Sequence, residues 1–141
     1  MGKKIKNWAN YACIGTCSNA VAEPVVSDTF TIIQAFDNIS VANNVTVSLD
    51  NKNMQVADGG DYSVSISLRV NSASKTFIYA IFINGVESIL APTDKSEGHV
   101  SVPNAIITLQ AGDVVDIRQR STDGGTYLLV TSATFSLVRL S

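Results

Sequence analysis

What this sequence has least of is charge. Only 16% of its 141 residues are Asp, Glu, Lys or Arg, against about 25% in ordinary soluble domains. Mean hydropathy is nonetheless +0.20. A small monomer stays dispersed by covering itself with charge, so the shortage predicts that other chains cover part of this surface. The net charge of −2 and a pI near 5.2 exclude the basic stripe that a nucleic-acid partner requires. Long apolar runs are missing too. The longest, Phe77 to Ile83, falls far short of the roughly 20 residues of a membrane helix, so no membrane partner is expected.

Reactive groups are equally scarce. His99 is the one histidine, so a Ser-His-Asp arrangement would have to use it, and no Gly-x-Ser-x-Gly elbow accompanies it. The two cysteines, Cys13 and Cys17, would lie about 13 Å apart on an extended strand. A disulfide tolerates about 7 Å, so they are expected as free thiols on one strand face. With His99 distant, they do not make up a metal-ligand set. Asp58 with Asp61, and Asp113 with Asp116, are candidate carboxylate pairs for calcium or glycoside cleavage. Asp58, Asp61 and Asp113 also sit where turns need Asp, and turn chemistry is the reading adopted. The composition therefore predicts no enzyme, no cofactor and no metal.

The N-terminus carries the one basic cluster, Lys3, Lys4 and Lys6, beside Trp8 and Tyr11. Ala20-Val21-Ala22 resembles a signal-peptide cleavage site, but Asn7, Asn10, Gly15, Ser18 and Asn19 interrupt the apolar block such a peptide needs. Lys6 also occupies the place where a myristoylation signal at Gly2 wants Ser or Thr. Residues 1–10 are expected to form an N-terminal arm and residues 11–141 one domain.

What is present is alternation. In Asp61 to Val70, Tyr62, Val64, Ile66, Leu68 and Val70 fall on one face of an extended strand, and Ser63, Ser65, Ser67 and Arg69 on the other. A helical period would scatter these residues around the axis. Further strands are expected at Trp8–Thr16, Thr29–Phe36, Val45–Leu49, Met54–Val56, Val86–Leu90, Val114–Arg120, Thr126–Val130 and Thr134–Leu140. Phe77–Ile83 is apolar at nearly every position and reads as buried on both faces, by a second sheet and by a neighbouring subunit. Asn84-Gly85 reads as a two-residue hairpin, and Pro103 marks an edge or a bulge within His99–Leu109. Roughly eight to ten antiparallel strands in one domain make an all-β sandwich or barrel.

Particular segments carry a resemblance. Val56-Ala-Asp-Gly-Gly-Asp-Tyr-Ser-Val-Ser-Ile66 resembles the Gly-x-Tyr turn-and-strand signature of the tumour necrosis factor and complement globular-head superfamily. Ile81-Phe-Ile-Asn-Gly-Val86 is similar to its central hairpin, Ile107 to Val115 to its Leu-x-x-Gly-Asp-x-Val element, and Thr134 to Leu140 to its last strand. Together these cover Gln55 to Leu140; the earlier residues match only loosely. The resemblance implies a two-sheet jelly roll that assembles as a homotrimer. The Asn-Gly hairpin and the Leu-Gln-Ala-Gly-Asp wording most resemble versions carried on bacteriophage particles.

The expected function is structural: a trimeric capsid decoration protein on the virion that binds the major capsid protein. Its arm would anchor through Lys3, Lys4, Ile5 and Trp8. A fibre head normally follows a long shaft, and here few residues precede the first strand. The alternatives are the receptor-binding head of a tail fibre or spike, with Ala91–Gly98 and Ser121–Gly125 as contact loops on a host surface receptor, and a secreted cytokine-like module. Candidates for the three-fold axis are Tyr79, Phe82, Tyr127, Leu129 and Phe135, the surplus apolar and aromatic positions. Arg118, Arg120 and Arg139 are candidates for intersubunit ion pairs. Asn38-Ile39-Ser40 and Asn44-Val45-Thr46 fit a glycosylation pattern that has no use in a bacterial or viral setting.

Overall fold

The computed structural model describes residues 10–15, 21–24, 29–71, 76–90, 97–122 and 127–140, with backbone only at 21–24, 71, 90, 97–104 and 127–129. Twelve strands run through these residues, and none of them is helical. They are β1 (Tyr11–Gly15), β2 (Val21–Pro24), β3 (Thr31–Ile32), β4 (Asn38–Asn43), β5 (Val45–Ser48) and β6 (Asn53–Val56). After them come β7 (Gly60–Asn71), β8 (Phe77–Ile83), β9 (Val86–Leu90), β10 (Glu97–Leu109), β11 (Val114–Ser121) and β12 (Tyr127–Arg139). The first sheet has the order β10-β7-β12-β1-β4, with β2 on β12; the second has β5-β6-β11-β8-β9, with β3 on β11. Every pairing is antiparallel.

The period-two pattern decides which side chains fill the space between the sheets. Tyr62, Val64, Ile66, Leu68 and Val70 of β7 are all buried, as are Val130, Ala133, Phe135 and Leu137 of β12. Phe77, Tyr79 and Ile81 of β8, with Val115 and Ile117 of β11, belong to the same core. Phe36 meets Phe135 with ring centroids 6.0 Å apart.

The turns follow their residue chemistry. Asn84 (φ 51°) and Gly85 (φ 79°) are both left-handed, the conformation a tight primed hairpin demands. Gly112 (φ 89°) turns the chain into β11, while Asp113 Oδ2 accepts from the Gln110 amide at 2.8 Å. Pro103 lies at both an edge and a bulge: β10 borders its sheet, and its register on β7 slips between Val102 and Ala105.

Several expectations need correction. Thr29–Phe36 is in a ladder only at Thr31–Ile32, because this segment crosses between the sheets. The Ile33 amide donates to Ile117 in the second sheet, and the Asp37 amide donates to Gly15 in the first. The two expected C-terminal strands are one, β12, whose register on β7 shifts between Val130 and Ser132. Strands β2 and β4 have no counterpart in the expected set. The outer face of β8 is closed by its own chain rather than by a neighbour: Phe82 is 7% exposed beneath Phe30 (5.1 Å, edge-on) and Arg118 (4.4 Å above the ring).

Candidate self-association face

Residues opposite each other in an antiparallel register share a face, so the pairings define the outer surface of the first sheet. One row runs Ile106, Ser63, Val138, Tyr11, Asn43 from β10 to β4. A parallel row runs Ser65, Ser136, Cys13, Val41, and a third runs Ser67, Thr134, Gly15, Asn38. Among the described residues, charge enters β7 on this face only at its ends, Asp61 and Arg69. Ile106 is 62% exposed, Val41 49% and Val138 45%. Small hydroxyls, a thiol and a glycine lie between these apolar side chains, so another protein can approach this surface closely.

The opposite outer surface, on the second sheet, is charged. Asp116, Phe82 and Glu87 share one row there, and Arg118 follows on the next. Arg118 Nε donates to Asp116 Oδ1 at 2.8 Å and Nη2 to Oδ2 at 3.1 Å, a bidentate pair within one chain. Arg120 stands over Phe30 at 5.1 Å. Among the described residues, the sandwich thus presents one face that carries charged side chains and one that is nearly uncharged between Asp61 and Arg69.

Two of the residues expected on the three-fold axis, Tyr79 and Phe135, lie in the core. Tyr79 and Phe135 are 0% exposed within their own chain and have no area left to bury against another. Phe82 points outward but is covered as described. The error is one of facing: on a strand apolar at every position, sequence cannot say which side chains point inward. Tyr127 and Leu129 lie in β12, but their side chains are outside the described residues, as are Lys3, Lys4, Ile5 and Trp8. The signal missed was the serine run itself, Ser63, Ser65 and Ser67, which makes the polar side of β7 small and neutral.

The carboxylates have structural partners. Asp58 Oδ2 accepts from Asn10 Nδ2 at 2.7 Å, and the Arg139 amide donates to the Asn10 carbonyl at 2.9 Å. Asn10 is 2% exposed, so the chain is already fixed to the domain at that residue; residues 1–9 lie outside the described residues. Asp61 Oδ1 accepts from Thr108 at 2.7 Å, and Asp113 Oδ1 from Asn84 Nδ2 at 2.8 Å. Cys13 is a free thiol, and burial pushes its ionisation up, which makes it a poor nucleophile at neutral pH. Cys17, the side chain of His99 and both proposed contact loops lie wholly or partly outside the described residues. A cleft of about 220 Å³ lies among Cys13, Gly15, Asn38, Ser40 and Thr134, below the roughly 300 Å³ at which small-molecule sites begin.

Tyr62 gives this end of the domain a pH dependence. Its hydroxyl donates to the Asp58 carbonyl at 2.7 Å. Burial raises its ionisation above the ordinary tyrosine value; Arg139 opposes this, the Asp58 carboxylate adds to it, and Asn10 opposes it. A raised folded-state value means the stabilisation is complete below about pH 10 and is lost as pH climbs through the folded value. The urea midpoint of the wild type is expected to fall above about pH 10, more steeply than that of Tyr62→Phe. Parallel alkaline profiles for the two proteins would contradict this assignment.

No protein-family model matches the sequence, and no curated protein matches it. Solved structures do match. The Eiger TNF of S. frugiperda superposes with a TM-score of 0.72 at 14% identity, over 94% of this chain and 92% of that one. The globular domain of zebrafish complement 1qA gives 0.64 at 14% identity, over 94% and 98%. Murine APRIL gives 0.66 at 9% identity, over 93% and 100%. These likenesses establish the fold: an all-β jelly roll of the TNF and C1q globular-head type.

Proposed function

We propose that this chain is a non-enzymatic structural protein of a bacteriophage virion, a homotrimer that decorates the capsid and binds its major capsid protein. The observation that carries the reading is the outer face of the first sheet. Between Asp61 and Arg69 it offers three copies a neutral, close-approach surface with Tyr11, Val138 and Ile106 as apolar anchors. A standard interface of about 1,600 Å² on such a face represents a large gross driving force before association costs. The scarcity of charge points the same way.

In this reading the arm, residues 1–9, is the tether, with Lys3, Lys4, Ile5 and Trp8 as its contacts. Asn10 fixes its root beside Asp58 and Arg139. The turns 57–59, 84–85 and 110–113 are gathered at that end, through the Val56–Asp113, Gly112–Val56 and Asn84–Val114 backbone bonds. That end would therefore face the shell. Fold likeness to Eiger TNF and APRIL supports a second reading, a secreted cytokine-like binding module.

Deleting residues 2–9 tests the assignment without touching Asn10. The truncated protein is expected to remain trimeric in sedimentation and to lose co-sedimentation with capsids that lack the native protein. Undiminished capsid binding would overturn the tether. Binding to intact host cells with none to shells would favour a receptor-binding head, and binding to neither, with capture by a cell-surface receptor, the cytokine-like module.

A further inference from the structure

Gln119 is an anomaly in the core. It is 0% exposed, and among the described residues neither its Nε2 nor its Oε1 has a hydrogen-bond partner. It pairs in register with Tyr79 on one side and with Thr31 on the other, and so shares with Tyr79 the inward face of the second sheet. A buried amide with all its hydrogen bonds unmade is costly, and native proteins rarely tolerate one without a use.

The strand that shields it is the shortest of the described strands. On the side away from β8, β11 is flanked by β6 at Val114 and Val115, and at Arg118 and Gln119 by β3, which is Thr31–Ile32. Thr31, the register partner of Gln119, is itself half-buried and stands next to solvent. Outside the ladder, the segment is pinned by Phe30, wedged against Phe82 and beneath Arg120. Past the strap, Ile33, Ala35 and Phe36 are anchored in the core at 0%, 1% and 1% exposure, so local detachment stops there.

We propose that Thr29–Ile32 is a strap that opens and closes as a unit while the sandwich stays folded, and that the unpaired Gln119 amide biases it toward opening. In the closed state the amide is dry and unsatisfied; when the strap lifts, water reaches it past the position of Thr31. Opening also uncovers Phe82 and frees Arg120 from its ring, exposing an aromatic and cationic patch on the outer face of the second sheet. This device is independent of trimerisation and of the virion assignment.

Native-state hydrogen exchange on the full chain tests it. In the wild type, the amides of residues 31–32 and 118–119 that the β3–β11 ladder protects are expected to exchange at least tenfold faster than those of Ile81 and Ile117 in the core. Gln119→Leu, which removes the polar group at similar volume, is expected to slow the strap amides about tenfold relative to wild type. Phe30→Ala, on the surface and tolerant of folding, is expected to speed them. Strap and core amides that exchange together in all three proteins would overturn the proposal, as would strap rates that ignore both substitutions.

Discussion

Ser136→Arg is expected to leave each chain folded and to break the proposed homotrimer. Ser136 sits at the centre of the neutral face, with Cys13 opposite on β1 and Ser65 opposite on β7. Its side chain points away from the core, so the new guanidinium meets open solvent in a single chain and the melting profile of a monomer should change little. In an assembly built on this face, each copy would bury an unpaired cation among serines and valines. Such a charge costs several kcal/mol, so dissociation should strengthen by two orders of magnitude or more, roughly. Sedimentation equilibrium at micromolar concentration reads the change. The matched control is Thr46→Arg on β5 of the second sheet, exposed but on the charged side of the molecule, which is expected to sediment as the wild type does. Equal trimer strength in both variants would move the interface elsewhere.

The contrast between these two positions shows what was legible in the sequence. Alternation over Asp61 to Val70 specifies both the strand and its buried side, because polar and apolar residues separate cleanly by parity. The same holds for the left-handed turn at Asn84-Gly85 and for the edge at Pro103. Phe77–Ile83 carries no such signal. Every position is apolar, so its inward set (Phe77, Tyr79, Ile81) and its outward set (Ala80, Phe82) are indistinguishable until the register on β11 is known. Phe82 is then covered by Phe30, about fifty residues away in sequence, through a crossing that pattern cannot anticipate. Asn38–Asn43 was illegible for the opposite reason: an edge strand with both faces partly exposed has no period for burial to impose.

Of the axis candidates, the structure describes Tyr79, Phe82 and Phe135, and all three are buried within their own chain. Low charge predicts a covered surface, and the structure shows a neutral one. Searching for its residues among the bulkiest apolar side chains leads to the core instead, since those side chains are the ones a two-layer sandwich buries first. The neutral face is built from small residues, and serine on a strand face reads as ordinary solvated polarity unless the missing charge is weighed with it.

Phe135→Ala separates the two roles by measurement. Phe135 is 0% exposed, lies on β12 opposite Ile66 of β7, and packs against Phe36 across the sandwich. Truncating a buried phenylalanine costs about 3–5 kcal/mol, from lost transfer energy and the cavity left behind. Against a typical domain stability of about 5–15 kcal/mol, that is a large share, and the melting temperature should drop by on the order of 10 °C. The decisive part is how the loss depends on concentration. A side chain inside its own chain destabilises by an increment that persists in the monomeric Ser136→Arg background. An axis residue would weaken assembly, and its effect would vanish once the chains are already apart. Thermal unfolding of Ser136→Arg with and without Phe135→Ala is therefore expected to show the full drop. Identical melting of the two monomeric proteins would return Phe135 to the interface and overturn the assignment of the neutral face.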